Sequence, residues 1–349
     1  MLMRSHDDGV AGPSMMQLRG IGRRMEIENE GASVQIEVDV DAVAETAQLV
    51  KDELHRVIVG RDDIIEALFL CLLAEGHLLL EGNPGLAKKT ITKQFAQTLG
   101  CTFSRQQFTP DLLPSDVIGS YVNDKKTGET NVRKGSIFAN IVMADELNRA
   151  TLRTQSALLE AMEEKSVTIE GTTFPLEKPF MVLATQTPVD YVDYQGSLSQ
   201  MQLDQFMLKV RLEYPTTDEE LQILATKQDA SLTVRQVTSR DSVLRMIDVS
   251  RSVYVDEKIL EYIRDIVVGS RRHKDLVLPA SPRASIALLA LSRARAAMCS
   301  RDYVIPDDVK ATASKVLSHR VMLSSEAEIE GVSLEDVIAA ILKEVRPAR

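Results

Sequence analysis

The most constraining feature of this chain is a ten-residue stretch, E-G-N-P-G-L-A-K-K-T, at residues 81–90. It follows the short apolar run H-L-L-L and leads into K-K-T-I-T-K-Q-F-A-Q-T-L, whose apolar residues recur at helical spacing. In a glycine-rich turn between a buried strand and a helix, successive backbone N–H groups converge on phosphate oxygens. The helix N-terminus adds its partial positive charge. The usual pattern is G-x-x-x-x-G-K-[ST]. Here Gly82 and Gly85 supply backbone freedom, Pro84 stiffens the turn, and Lys88 stands where the phosphate lysine belongs. Ala87 replaces the second glycine, and Lys89 replaces the metal-binding hydroxyl. A loop that bulged by one residue would instead make Lys89 the phosphate lysine and Thr90 the metal hydroxyl, at the cost of turning the helix phase by about 100°. The plainer alternative is a Gly-Pro turn with solvated lysines.

A second apolar run, N-I-V-M-A-D-E at residues 140–146, ends in two carboxylates. Asp145 at such a strand tip can hold Mg²⁺ through water, and Glu146 can orient or deprotonate an attacking water, the two acidic tasks of NTP hydrolysis. A third run, F-M-V-L-A-T-Q at residues 180–186, leads into Thr187. Polar residues at the carboxyl ends of parallel strands face the ligand crevice, so Gln186 or Thr187 could reach the γ-phosphate or the water. Continuous apolar runs separated by helical stretches predict an open parallel α/β sheet flanked by helices. After Y-P-T-T at residues 214–217 the texture changes to amphipathic helices with no convincing buried strand, the clearest being S-I-A-L-L-A-L-S-R-A-R-A-A-M. A mobile N-terminal extension is expected over residues 1–35, an α/β part over 36–215 and an all-helical part over 230–349.

Charge and cysteine usage narrow the classes. A net charge of −10 argues against a generic binder of nucleic-acid backbone, which needs a basic face. Aromatics are only 4 %, with no Trp, so the core is aliphatic. Cys71, Cys101 and Cys299 fit neither a disulfide framework nor paired metal-ligand spacing, which suits a reducing, cytoplasmic setting. The five histidines lie too far apart in sequence to suggest zinc. No apolar run reaches the length of a membrane span, and the N-terminus lacks the order of a secretory signal.

Several ordered blocks together resemble the MoxR-type AAA+ ATPases, from about residue 40 to the C-terminus. They are V-I-V-G-R, E-G-N-P-G-L-A-K, Q-F-T-P-D-L-L-P-S-D, G-S-I-F-A-N-I-V-M-A-D-E-L-N-R-A, T-Q-S-A-L-L-E-A-M-E-E, F-M-V-L-A-T-Q, A-S-P-R-A and L-S-H-R-V-M-L-S. Ala87 is no departure by that standard, because the family often has G-x-P-G-x-A-K-T. The resemblance implies an α/β P-loop domain followed by a helical lid, with ATP or ADP and Mg²⁺ between them, near a neighbouring subunit of a hexameric ring. It implies that Ile58, Val59 and Gly60 line the adenine pocket. Gly82, Asn83, Pro84, Gly85, Leu86, Ala87 and Lys88 would form the phosphate loop, with Asp145 and Glu146 the acidic pair. Arg283 in A-S-P-R-A would be the lid arginine that touches the γ-phosphate. Residues 115–138 resemble an element that this clade inserts before the acidic strand.

Three positions depart from the family pattern. Lys89 aligns with the hydroxyl that ligates Mg²⁺, Thr187 with a strand-end Asn that senses the γ-phosphate, and Gln205 in L-D-Q-F with an arginine donated to the neighbour's ATP. An ammonium cannot coordinate a cation, and a trans arginine is worth about 10³–10⁵ in rate. Arg149, Arg133 and Arg153 are candidates to compensate, though a solvated surface arginine is the plainer reading of each. By resemblance the chain is expected to be an ATP-driven assembly or maturation factor. Its client would be a protein with a metal-dependent von Willebrand A-type domain, and hydrolysis would be slow. The alternative is a nucleotide-binding scaffold that does not hydrolyse. DNA translocation is a weaker third reading.

Overall fold

The apolar runs at residues 77–82, 140–146 and 180–186 lie side by side at the centre of one sheet in the computed structural model of this chain. The structure describes residues 39–123, 130–187, 198–227 and 233–346, so the extension expected at residues 1–35 lies outside the described residues. Asp39–Arg349 forms one compact unit.

Helices α1 (Val40–His55) and α2 (Asp62–Leu73) precede strand β1 (Leu78–Glu81), helix α3 (Lys88–Thr98) and strand β2 (Phe103–Gln107). A short helix α4 (Pro114–Ile118) opens onto an antiparallel pair, β3 (Gly119–Asn123) and β4 (Thr130–Lys134), which occupies the position of the expected insertion. Strand β5 (Ile141–Asp145) then runs through a 3-10 turn into α5 (Leu152–Glu164). A second hairpin, β6 (Ser166–Ile169) and β7 (Thr172–Pro175), precedes β8 (Met181–Gln186), and α6 (Gln200–Leu203) precedes β9 (Leu208–Arg211). Beyond β9 come α7 (Thr217–Lys227), α8 (Arg240–Ser252), α9 (Glu257–Arg272), β10 (Leu276–Leu278) and α10 (Pro282–Met298). The chain ends with α11 (Pro306–Leu317), β11 (Met322–Leu323), α12 (Ser325–Ile329) and α13 (Leu334–Glu344). The only strands described after Arg211 are the short antiparallel pair β10 and β11.

The central sheet has the order β2-β5-β8-β1-β9, and every pairing is parallel. Strands β5 and β8 are buried along nearly their whole length because helices cover both faces, as an all-parallel sheet requires. The two flanking strands had no apolar run to announce them. Strand β2 reads F-S-R-Q-Q and is half-buried, while β9 reads L-K-V-R and alternates buried Leu208 and Val210 with half-buried Lys209 and exposed Arg211. Because all five strands run the same way, the segments after β1, β5 and β8 emerge at one edge. That edge is where such sheets hold ligands.

Local chemistry sets several of the helix starts. Thr151 caps α5 by accepting from the Thr154 N–H. Ser281 caps α10, with Pro282 in the first turn, where its missing N–H costs nothing. In α10, Ala284, Ala287, Leu288, Leu291 and Ala294 are buried, and the small alanines among them let α1, α8, α9 and α11 pack closely around it.

Candidate functional site

The loop after β1 follows the standard register without a bulge. Ala87 precedes the first helical residue, Lys88, and takes the left-handed conformation (φ 57°, ψ 16°) that the pattern's second glycine would adopt freely. Gly85 is also left-handed, at φ 88°. At Gly82 an added Cβ would come within 2.8 Å of the Leu212 side chain, so the first glycine is required by close packing. The Lys88 ammonium folds back and donates to the Gly82 carbonyl at 2.5 Å. Burial holds its pKa below the usual lysine value, while the charges of Asp145 and Glu146 pull it back up. Lys88 is therefore the ammonium facing the acidic pair. Lys89 is exposed on the first turn of α3, and Thr90 faces elsewhere.

Thr90 lines a cavity of about 190 Å³ together with Ile58, Val59, Gly85, Leu86 and Ala87. Two groups that sequence reasoning passed over close it, Pro215 and Ile223. The chain leading into Pro215 is held by Arg61, which donates to the Glu213 carbonyl at 2.8 Å, and by Asn83, which donates to the Tyr214 hydroxyl at 3.2 Å. The Y-P-T-T stretch had read as a boundary, and its proline was the available signal. Gly60, left-handed at φ 64°, borders this group in sequence.

The acidic pair is more heavily partnered than the sequence suggested. Thr185, fully buried in β8, donates to Asp145 Oδ1 at 2.8 Å and accepts from the Glu146 N–H at 2.9 Å. Arg105 on β2 engages Asp145 Oδ2 through Nε at 3.1 Å and Nη2 at 2.5 Å, and also donates to Gln107. Gln107 in turn donates to Glu146 Oε2 at 2.9 Å. Arg149, read from the sequence as a solvated arginine, is paired with Glu146 Oε2 at 2.8 Å. Glu146 itself sits at φ 55°, ψ 48°, a left-handed conformation costly for a residue with a Cβ. At the end of β8, Gln186 donates to Glu81 Oε2 at 2.7 Å, and half-buried Thr187 follows it. Arg105, Gln107 and Thr185 were missed because β2 has no apolar run and Thr185 looked like an ordinary strand residue.

The fold does not bring Arg283 and Gln205 to the loop. Both line a second cavity of about 350 Å³ together with His77, Met162, Glu163 and Arg320. His77 precedes β1 and Gln205 precedes β9, so this cavity lies at the amino ends of the strands, opposite the loop. Arg283 pairs there with Glu163 at 2.5 Å. Ser281 donates to Asp204 Oδ2 at 2.9 Å, and the nearly buried Arg320 donates to Asp204 Oδ1 at 2.8 Å. The A-S-P-R-A, L-D-Q-F and L-S-H-R blocks thus meet in one network.

For a divalent ion at Asp145 the side chains do not fit. The hydroxyl position is an ammonium, and three of the roughly four acceptor positions of the Asp145 carboxylate already serve a guanidinium and a hydroxyl. Among the described residues no group of three or more His, Cys, Asp or Glu could hold a metal, and no helix is long and apolar enough to cross a membrane.

A phosphate-type loop on a five-stranded parallel sheet, an acidic strand tip two strands away and a helical C-terminal part define a AAA ATPase module. Residues 77–208 match the ATPase family associated with various cellular activities, and residues 268–341 match the AAA lid domain. The chain belongs to the MoxR family of AAA+ ATPases. It is 38 % identical to the Mycobacterium tuberculosis chaperone MoxR1, covering 84 % of this chain and 80 % of that protein. It is 44 % identical to the Bacillus subtilis protein YeaC, covering 84 % and 92 %. A crystal structure of a Cytophaga hutchinsonii protein assigned as an ATPase superposes with a TM-score of 0.83 at 37 % identity, covering 89 % of this chain and 97 % of that one. The family is one of nucleotide-binding ATPases, typically oligomeric.

Proposed function

We propose that this chain is an assembly or maturation factor driven by ATP binding and slow hydrolysis. Residues 36–215 form its nucleotide-binding part and residues 230–349 its lid. One observation carries the reading. The Gly82–Lys88 turn, the Asp145–Glu146 tip and the Ile58–Val59 cavity gather at the carboxyl edge of the sheet, where a triphosphate and its base would lie. The turn would cradle the phosphates, Lys88 would neutralise their outer charge, and Glu146 would orient the attacking water.

Gln205 and Arg283, grouped at the opposite edge, would meet a nucleotide only on a neighbouring copy, which supports a homo-oligomer; by family resemblance the ring would have six subunits. Hydrolysis would be slow because Gln205 brings no charge to that neighbour, Thr187 replaces a longer amide, and Lys89 replaces a metal ligand. The client would be a protein with a von Willebrand A-type domain, in keeping with a relative named as a chaperone. A cytoplasmic location suits the three free cysteines.

A second reading, a nucleotide-binding scaffold without turnover, is favoured by the guanidinium seated on Asp145. Calorimetry with ATP and ADP, alongside steady-state phosphate release, tests both. Lys88→Ala should weaken nucleotide binding about tenfold or more. Glu146→Gln should keep binding and abolish whatever turnover the wild type has. Turnover typical of AAA enzymes would refute the slow step. Turnover indistinguishable from that of Glu146→Gln would favour the scaffold.

A further inference from the structure

The groups around Asp145 bear on how charge is balanced when a triphosphate occupies the loop, an inference that rests on the nucleotide-binding reading above. In the usual arrangement a divalent ion is held through water by the strand-tip aspartate and by a loop hydroxyl, and it offsets the β- and γ-oxygens. Mg²⁺ demands oxygen donors in a near-ideal octahedron at about 2.0–2.1 Å. In this chain one donor is absent, because Lys89 carries an ammonium with no lone pair to give. The other is engaged at three of its roughly four acceptor positions. Asp145 Oδ1 accepts from Thr185, and Oδ2 accepts twice from Arg105. Arg105 is a fixed guanidinium on a strand, and Gln107 beside it holds Glu146. Arg149 supplies a second guanidinium to Glu146. Three cationic side chains, Lys88, Arg105 and Arg149, thus face two carboxylates, and Lys89 adds a fourth, exposed on the first turn of the helix beside Lys88. The surplus positive charge stands where a metal's charge would otherwise be needed.

We propose that this site binds a nucleoside triphosphate without a divalent cation. Arg105 takes the metal-facing side of Asp145, and Lys89 substitutes its ammonium for the metal at the β- and γ-phosphates. Nucleotide binding is then a charge-pairing event between the phosphates and the protein's own cations. Its affinity falls with ionic strength and is indifferent to chelator. Turnover is slow because no ion bridges the phosphates as charge shifts.

The test is titration calorimetry of the full chain with ATP, in excess EDTA and in millimolar Mg²⁺. The expected dissociation constants agree within about threefold. The double substitution Lys89→Thr with Arg105→Met restores a hydroxyl and frees Asp145, and it should make binding about tenfold or more tighter in Mg²⁺ than in EDTA. Lys89→Thr alone, at an exposed helical position, keeps the test open if the double variant fails to fold. It should raise the Mg²⁺ preference in the same direction. Wild-type binding that tightens about tenfold or more on adding Mg²⁺ would overturn this inference and leave the nucleotide-binding reading standing. Variants as indifferent to Mg²⁺ as the wild type would overturn the assignment to these two side chains. No binding in either buffer would overturn both the inference and the reading beneath it.

Discussion

Replacing Thr185 by Val removes one hydroxyl and almost no volume, which makes it a clean probe of the strand-tip geometry. The hydroxyl is fully buried and serves two partners, donating to Asp145 Oδ1 at 2.8 Å and accepting from the Glu146 N–H at 2.9 Å. A hydrogen bond to an ionised group contributes about 1.5–3 kcal/mol, and a buried donor left without a partner costs about 1–3 kcal/mol. The Asp145 side chain is 15 % exposed and keeps its Arg105 partner, so water recovers part of the first term. The expected loss is about 3 kcal/mol, toward the lower end of that combined range. Thr185→Ser keeps the hydroxyl and loses one methyl, which costs about 1 kcal/mol. Urea unfolding followed by circular dichroism measures both, with a shared slope as the check that only stability has changed. If Ser proves as damaging as Val, packing rather than the hydroxyl holds the two strand tips together. The account of the acidic pair would then be mistaken. The same Val variant should also weaken ATP binding, because Glu146 would no longer be tied in its left-handed position.

Other perturbations give outcomes of distinct size. Arg320→Ala removes one donor from the Asp204 carboxylate, which keeps Ser281, and one each from the carbonyls of Phe206, Met207 and Val316, and should cost about 3–5 kcal/mol in denaturant unfolding. Ala87→Gly should leave the urea midpoint unchanged or raise it by the equivalent of about 1 kcal/mol, because relief of the left-handed alanine roughly offsets the added freedom of the unfolded chain. His77 is held neutral by burial, its pKa lowered to about 4. Its neutral form therefore costs nothing above pH 6.5, and stability falls as the unfolded chain protonates from there down to about pH 4. The loss approaches about 3 kcal/mol at the low end. His319 is shifted the same way. Denaturant unfolding across that range, compared with His77→Gln, should show a shallower acid slope in the variant.

How much of this was legible in the sequence depends on the range of the interaction involved. The phosphate turn, the helix after it and the three apolar strands are local patterns of a few residues, and they appear where the pattern placed them. The acidic pair of the block that ends L-N-R-A likewise falls at a strand tip. Strands β2 and β9 were invisible because their burial is only partial. Their half-polar sequences become strands when neighbours supply the ladder. Arg149 looked like any surface arginine until the 3-10 turn after β5 placed it beside Glu146.

Taken alone, the sequence determined the family, the α/β class, the loop and its ordered lysines, because these depend on residue identity and near-neighbour spacing. The tertiary structure alone decided which groups face one another across long stretches of chain. Asp145 meets Arg105 from forty positions away and Thr185 from an equal distance on the other side. Arg283, expected at the phosphates, instead pairs with Glu163 at the far edge of the sheet. Parallel strand order and sheet direction set those meetings. No local periodicity encodes them, since each depends on how elements distant in sequence are stacked.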